Sequence, residues 1–333
     1  MSNELAIYKQ NRLLNLQKIY NANAGRLYST AITRIRTIQS YRANVKSKQI
    51  QITSVINQYY RDTAILTNTF NKSKQSIQNF TPAVISQAKR KKALLVGINY
   101  IGTENELSGC INDVNSIKER ITQGGFSDIR VITDLTSTKP TRLNILSAFK
   151  NLLTTSQPGD LLFFCYSGHG SYTLDRNGDE ADGRDEMIVS VDLQGIVDDE
   201  LKAMIQTHLK SGVTLFAMFD SCFSGSVLDL KYQYLDSLNY DNYTENERNL
   251  ETQGNVIMIS GSTDDQTSAD AFINNRASGA MTWSLLTALK ENPSCNWREL
   301  VKSMRDLLKK SEFDQIPQFS SGMFVNIDES VFI

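Results

Sequence analysis

From Ala93 onward, short and mostly apolar runs alternate with longer stretches whose apolar positions recur at helical spacing. Apolar runs of this length read as strands covered on both faces, and the helical stretches supply the covers. The pattern therefore predicts a parallel sheet flanked by helices. The strand runs are Ala93 to Asn99, Ile129 to Thr133, Leu161 to Ser167, Val213 to Phe219, Val256 to Ser260 and Met323 to Ile327. Between them, Asn112 to Gln123, Arg142 to Thr155, Asp199 to Lys210, Met281 to Glu291 and Trp297 to Lys310 carry helical spacing, several opening on Asn, Asp or Thr near the cap. Residues 229–254, dense in Tyr, Asn, Asp and Glu, show no period and read as a solvated linker between a larger part, 91–228, and a smaller part, 255–333.

Residues 1–81 have a different texture, with no proline and one glycine, Gly25. Ala24, Ala31, Ile38, Val45, Ile52, Tyr59 and Leu66 recur every seven residues, while the companion seam of Tyr41, Lys48, Val55, Asp62 and Thr69 is mixed. This predicts a helical hairpin, or a helix packed on the body or on a partner, rather than a regular coiled coil. Pro82 and the run Lys89 to Lys92 close the region, so residues 1–90 read as a helical arm.

Charge separates the same two parts. The net charge of −1 conceals +14 over residues 1–92, where Glu4 and Asp62 are the only acids, and −15 over the rest. A basic arm on an acidic body can dock on that body, or can bind nucleic acid or an anionic membrane. Cys110, Cys165, Cys222 and Cys295 are too few and too scattered for a disulfide scaffold or a zinc site. With no signal-peptide core and no long apolar span, the sequence predicts a cytoplasmic protein.

Two strand ends carry chemistry. Ser167-Gly168-His169-Gly170 and Asp220-Ser221-Cys222-Phe223-Ser224-Gly225 each follow an apolar run. Parallel strands would deliver the imidazole and the thiol to one edge of the sheet, where ligand sites of open α/β sheets lie. A thiol at its ordinary pKa is a weak nucleophile, and His169 is the natural base for Cys222. Cys165 reads as a buried strand residue, His208 as a surface residue on its helix, and Trp283 and Trp297 as core.

These motifs, with Gly109 to Asp113, the acidic stretch Asp175 to Asp192 and Asp264 to Asp270, resemble the metacaspases over roughly residues 90–333. The resemblance implies a caspase-haemoglobinase fold, a mostly parallel six-stranded sheet flanked by helices, here preceded by the arm. Phe223 stands where the family usually has His. The implied activity is that of a cysteine endopeptidase using His169 and Cys222, with the backbone N–H groups of Gly170 and Cys222 stabilising the oxyanion. Asp113 and Asp220, with Cys110 and Ser167 nearby, would line the pocket for the residue before the cut. Two acids there favour Arg or Lys and oppose Asp. Taken alone, Asp113 also fits a residue capping its own helix turn.

The resemblance further implies a calcium site on Asp185, Asp198, Asp199 and Asp229, and a calcium-dependent switch. Asp175, Asn177, Asp179 and Glu186 match a calcium loop only weakly, because Glu180 replaces its glycine. Self-processing is expected at basic residues, with Lys89, Arg90, Lys91 and Lys92 releasing the arm and Lys231 or Arg248 cutting the linker. A monomeric body is implied. The competing reading is a scaffold whose protease body is silent and whose arm binds partners.

Overall fold

The computed structural model describes residues 2–42, 44–79, 90–174, 184–222, 227–228, 230–236, 239–246, 249, 251–261, 270–273, 276–325 and 327–333. The chain divides into two compact units, Met1–Pro82 and Ala83–Ile333. None of the described helices is long and apolar enough to cross a membrane.

The first unit is a hairpin of two long helices, α1 (Ser2–Ser40) and α2 (Val45–Asn79). They run antiparallel: the Tyr20 ring lies 4.6 Å from that of Phe70, and Lys9 Nζ reaches the carbonyl of Gln78 at 2.6 Å. The heptad residues Ile52, Tyr59 and Leu66 face the seam and are half-buried, as are the mixed companions Lys48, Val55 and Asp62. Val45, at the turn, is 82% exposed. Two helices alone cannot surround a side chain, so no described side chain of the hairpin is fully buried.

The second unit is built on one sheet. Its elements in chain order are β1 (Lys91–Gly97), α3 (Cys110–Gln123), β2 (Asp128–Thr133), α4 (Arg142–Thr154), β3 (Leu161–Ser167), β4 (Gly170–Leu174), β5 (Arg184–Val189), β6 (Gly195–Val197), α5 (Asp198–His208), β7 (Thr214–Asp220), β8 (Tyr232–Asp236), β9 (Asn239–Glu245), β10 (Asn255–Ser260), β11 (Asp270–Ile273), β12 (Arg276–Gly279), α6 (Ala280–Glu291), α7 (Trp297–Lys310) and β13 (Gln318–Ser321). The main sheet has eight strands in the order β2-β1-β3-β7-β10-β13-β8-β9. The first five are parallel, and β13, β8 and β9 pair antiparallel. A second, three-stranded sheet of β4, β5 and β6 follows β3.

The unbroken apolar runs are explained by two cores. Leu161, Phe163 and Cys165 of β3 join Phe216 and Met218 of β7 on one face, with Trp297, Leu300 and Met304 of α7. Leu162, Phe164 and Tyr166 join Leu215, Ala217 and Phe219 on the other, with Phe149 of α4 and Leu201 of α5. A strand buried on both faces has no polar alternation to show.

Three expectations are corrected. The sheet has eight strands rather than six, because part of the stretch read as linker pairs with it: Tyr232 and Tyr234 alternate with exposed Gln233, pack inward and align with Ser321 and Phe319 of β13. The last core strand is Gln318–Ser321, upstream of the apolar Met323 to Ile327. Strand β1 begins at Lys91, two residues before the apolar run, since its lysines hold their ends at the edge of the body. Lys91 Nζ donates to the carbonyl of Gly124 at 2.6 Å, and Lys92 Nζ to Thr155 Oγ1 at 2.7 Å.

Trp297 joins α7 to the sheet, its ring 5.3 Å from Phe216, 5.4 Å from Phe319 and 5.1 Å from Phe332. Trp297→Ala should lower stability by about 3–5 kcal/mol, the usual range for an aromatic removed from a core. Urea unfolding followed by circular dichroism measures it, and a loss below about 1 kcal/mol would show that the site collapses around the gap.

Candidate active site

The parallel register of β3 and β7 sets Ser167 against Asp220. His169 and Cys222 therefore each lie two residues beyond a matched pair, at the same edge of the sheet. Gly168 N–H donates to the carbonyl of Asp220 at 3.3 Å, tying the turn after β3 to the end of β7. A methyl group at Gly170 would overlap the carbonyl oxygen of Cys222 and stand 3.2 Å from Ser221 Cβ. Only glycine permits this approach of the two turns.

His169 has a fixed tautomer. Its Nε2 lies 2.8 Å from the carbonyl oxygen of Asn105. A carbonyl only accepts, so Nε2 carries the proton and Nδ1 is left as the base. The ring packs against that of Tyr100 at 4.6 Å. Asn105 and Tyr100 belong to the loop after β1, where the strand order turns from β2 on one side of β1 to β3 on the other, the switch point at which such sheets place their ligands. Cys222 is half-buried, and no cysteine forms a disulfide.

The sequence assigned oxyanion stabilisation to the N–H groups of Gly170 and Cys222. Gly170 is opposite Ile188, and the His169 carbonyl accepts from Val189 N–H at 3.0 Å. Gly170 is thus in a non-hydrogen-bonded pair, with its N–H directed away from β5.

Beside this edge lie the two carboxylates expected to line a pocket. Asp113, in the first turn of α3, makes no cap to its own helix. Its Oδ2 accepts from Ser167 Oγ at 2.9 Å, its Oδ1 from Ser278 Oγ at 2.6 Å, and both from Gly279 N–H at 3.0 Å. Asp220 Oδ2 accepts from Thr282 N–H at 2.8 Å and from its Oγ1 at 2.7 Å. A methyl group at Gly279 would overlap an Asp220 carboxylate oxygen and come within 2.9 Å of Asp113 Oδ2, so the two carboxylates converge on this glycine. Burial first, and the neighbouring Asp220 charge second, push Asp113 from the ordinary 3.8 up to about 7. The same burial raises the Cys165 thiol well above its usual range, as suits an inert core residue. Cys110, buried on the first turn of α3, sits three residues before Asp113.

A separate acidic cluster joins Asp185 of β5 to Asp198 and Asp199 at the start of α5, with carboxylate oxygens within 4.8 Å of one another. Asp198 accepts from Glu186 N–H at 2.9 Å and Asp199 N–H at 2.6 Å. The helix N-terminus favours these charges, and an all-oxygen set fits a hard divalent cation. The fourth expected ligand, Asp229, lies outside the described residues, as do Phe223 and the weak calcium-loop positions Asp175, Asn177, Asp179 and Glu180.

Among the processing positions, Arg90 donates to Asp160 through Nε at 3.2 Å, and Lys91 and Lys92 are in β1. The Lys231 carbonyl accepts from Asn246 N–H at 2.8 Å beside β8. Lys89 and Arg248 lie outside the described residues. Sequence reading missed Asn105, Ser278, Gly279 and Thr282.

Comparison with known proteins finds a family and several relatives. The family model described as "Metacaspase, peptidase C14 domain" matches residues 91–231. Metacaspase-1A of Neurospora crassa is 38% identical over 292 residues, which are 72% of this chain and 64% of that protein. Metacaspase-1 of Ajellomyces capsulatus is 38% identical over 291 residues, 72% of this chain and 82% of its own. The crystal structure of protein GSU0716 from Geobacter sulfurreducens shares the fold with a TM-score of 0.55 at 23% identity, covering 73% of this chain and 98% of that one.

The raised Asp113 pKa has a thermodynamic consequence. Between about pH 4 and pH 7 the folded chain keeps the Asp113 proton while the unfolded chain releases it, so raising pH over that window weakens the fold. Asp113→Asn should flatten this part of the stability curve. Urea midpoints from pH 4 to 8 test it, and an unchanged slope in the variant would remove Asp113 as the source.

Proposed function

This chain belongs to the metacaspase family, and we propose that it is a cysteine endopeptidase that cuts after Arg or Lys under calcium control. The observation that carries the reading is the placement of a buried carboxylate pair, Asp113 and Asp220, beside the strand ends that bear His169 and Cys222.

The chemistry follows from the groups present. His169 Nδ1 takes the Cys222 proton, and the thiolate sulfur attacks the peptide carbonyl carbon. The backbone N–H groups of Gly170 and Cys222 hold the oxyanion that forms. As the C–N bond breaks, the imidazolium returns its proton to the leaving amine. Water, deprotonated by the same nitrogen, then hydrolyses the thioester and restores the thiol. The Asn105 carbonyl keeps the ring in the required tautomer throughout.

Specificity is electrostatic. Burial and the neighbouring Asp220 charge favour the protonated form of Asp113. A guanidinium or ammonium group would add positive charge beside the two carboxylates, and a guanidinium also offers several donors. An aspartate guest would add a third anionic group to a desolvated site. Gly279 keeps the space between the carboxylates clear.

Asp185, Asp198 and Asp199, with Asp229, would hold calcium, which supplies positive charge to a cluster that otherwise repels itself. Cuts after Arg90, Lys91, Lys92 or Lys231 would require opening paired main chain.

Purified wild-type chain should cleave peptides with Arg or Lys before the cut and leave matched Asp peptides intact. Cys222→Ala should abolish both cleavage and self-processing, and hydrolysis surviving in that variant would reject the assignment. Asp113→Asn should reduce kcat/KM for Arg peptides on the order of a hundredfold. Equal turnover of Asp and Arg peptides would instead discard the charge-based pocket.

Calcium should raise the melting temperature of Cys222→Ala protein, in which no self-cleavage complicates the reading. Asp198→Asn should remove that shift. Identical melting curves in chelator and in millimolar calcium would eliminate the site whatever the enzyme's activity.

A further inference from the structure

The proposed chemistry requires the His169 imidazole to stay aimed at Cys222, and the ring contact with Asn105 fixes only one end of it. The main chain of His169 is held separately. Tyr100, after β1, and Tyr166, in β3, are each 0% exposed, and their hydroxyls meet at 3.1 Å beneath the His169 turn. His169 N–H donates to Tyr100 Oη at 2.9 Å, and Tyr166 Oη donates to the His169 carbonyl at 2.7 Å. Both hydroxyls also lie near the Val189 carbonyl, at 2.6 Å from Tyr100 and 2.8 Å from Tyr166. Val189 N–H approaches the His169 carbonyl at 3.0 Å and Tyr166 Oη at 3.2 Å.

One arrangement of the two phenolic protons gives each main-chain group of the set a partner. Tyr100 accepts from His169 N–H and donates to the Val189 carbonyl, while Tyr166 accepts from Val189 N–H and donates to the His169 carbonyl. Every main-chain polar group of His169 and Val189 then has a partner. The local structure is shaped around these hydroxyls. A methyl group at Gly168 would stand 2.6 Å from Tyr166 Oη, and Tyr100 itself is left-handed at φ +51°, a conformation costly for a tyrosine. Burial pushes both phenols well above their ordinary range, so they remain protonated donors.

We infer that Tyr100 and Tyr166 are positioning residues for His169, acting through their hydroxyls on the backbone of the turn that carries the imidazole. Phenylalanine at Tyr100 keeps the ring in the core and takes away the acceptor of His169 N–H, while phenylalanine at Tyr166 removes one of the two donors to the His169 carbonyl and leaves it Val189 N–H. The turn relieves this by shifting, and the ring shifts with it. This inference rests on His169 acting as the base for Cys222.

The test compares Tyr100→Phe and Tyr166→Phe with a control, Tyr234→Phe. Tyr234 is buried and accepts from Val325 N–H at 2.6 Å, far along the sheet toward β13, so its loss is also that of a buried hydroxyl. Two readouts are taken on the full chain: kcat and KM for an Arg peptide, and the pH dependence of Cys222 alkylation by iodoacetamide, with Cys222→Ala as the blank. Tyr100→Phe and Tyr166→Phe should each lower kcat about ten- to a hundredfold with KM within about twofold, and should shift the alkylation midpoint. Tyr234→Phe should lose thermal stability while keeping both readouts. If the two variants fold and match wild type, or merely behave as Tyr234→Phe does, the inference is overturned. Should the wild type cleave no peptide, the proposed activity fails, yet the alkylation profiles still decide whether the hydroxyls set the His169–Cys222 pair.

Discussion

The parallel pairing of β3 with β7, in register from Leu161 against Thr214 to Ser167 against Asp220, is the constraint on which the site depends. A strand period of two makes register absolute: a slip of one residue would turn Phe163 and Phe216 out of one core and drive their neighbours into it. Both faces are filled, so neither strand can slip, and the turns that follow emerge side by side. The catalytic geometry thus inherits its precision from hydrophobic packing remote from the chemistry. Gly168 and Gly170 only permit the last approach.

The carboxylate pair carries an opposite demand. Burying Asp113 and Asp220 together opposes folding at neutral pH, and the surrounding donors offset only part of that penalty. Ser167, Ser278, Gly279 and Thr282 supply hydrogen bonds but no positive charge. On the proposed reading, a cationic substrate side chain would add positive charge beside the pair, so that part of the folding penalty becomes selectivity in the complex.

Much of this was legible because it is local. His169 and Cys222 stand in short turn motifs directly after apolar runs, Asp220 ends one of those runs, and Asp113 lies in the first turn of the helix that opens with the Gly109 to Asp113 motif. Asn105 was not legible, since it acts through a carbonyl oxygen that every residue possesses. Ser278 was hidden for another reason: it meets Asp113 across a sequence separation of 165 residues, and nothing in either neighbourhood announces the other. Strand β8 was missed because Tyr232, Gln233 and Tyr234 give too short an alternation to stand out in a polar stretch. The start of β1 was misplaced because Lys91 and Lys92 send their ends to Gly124 and Thr155, and charged residues at a sheet margin look like linker.

Strand β5 joins parts of the site that the sequence left separate. At one end Val189 binds the main chain of His169 and the two tyrosine hydroxyls. Near the other end Asp185 faces Asp198 and Asp199, and the next residue, Glu186, donates its N–H to Asp198. Four residues of extended chain, on the order of 13 Å, separate Asp185 from Val189. A cation held as proposed would draw Asp185 toward α5, on the strand that also anchors the histidine turn. Strand β5 is paired on both sides, lying between β4 and β6. On the proposed reading, a cation held here would bear on the orientation of the base without touching substrate, from carboxylates set apart from the strand ends that carry His169 and Cys222.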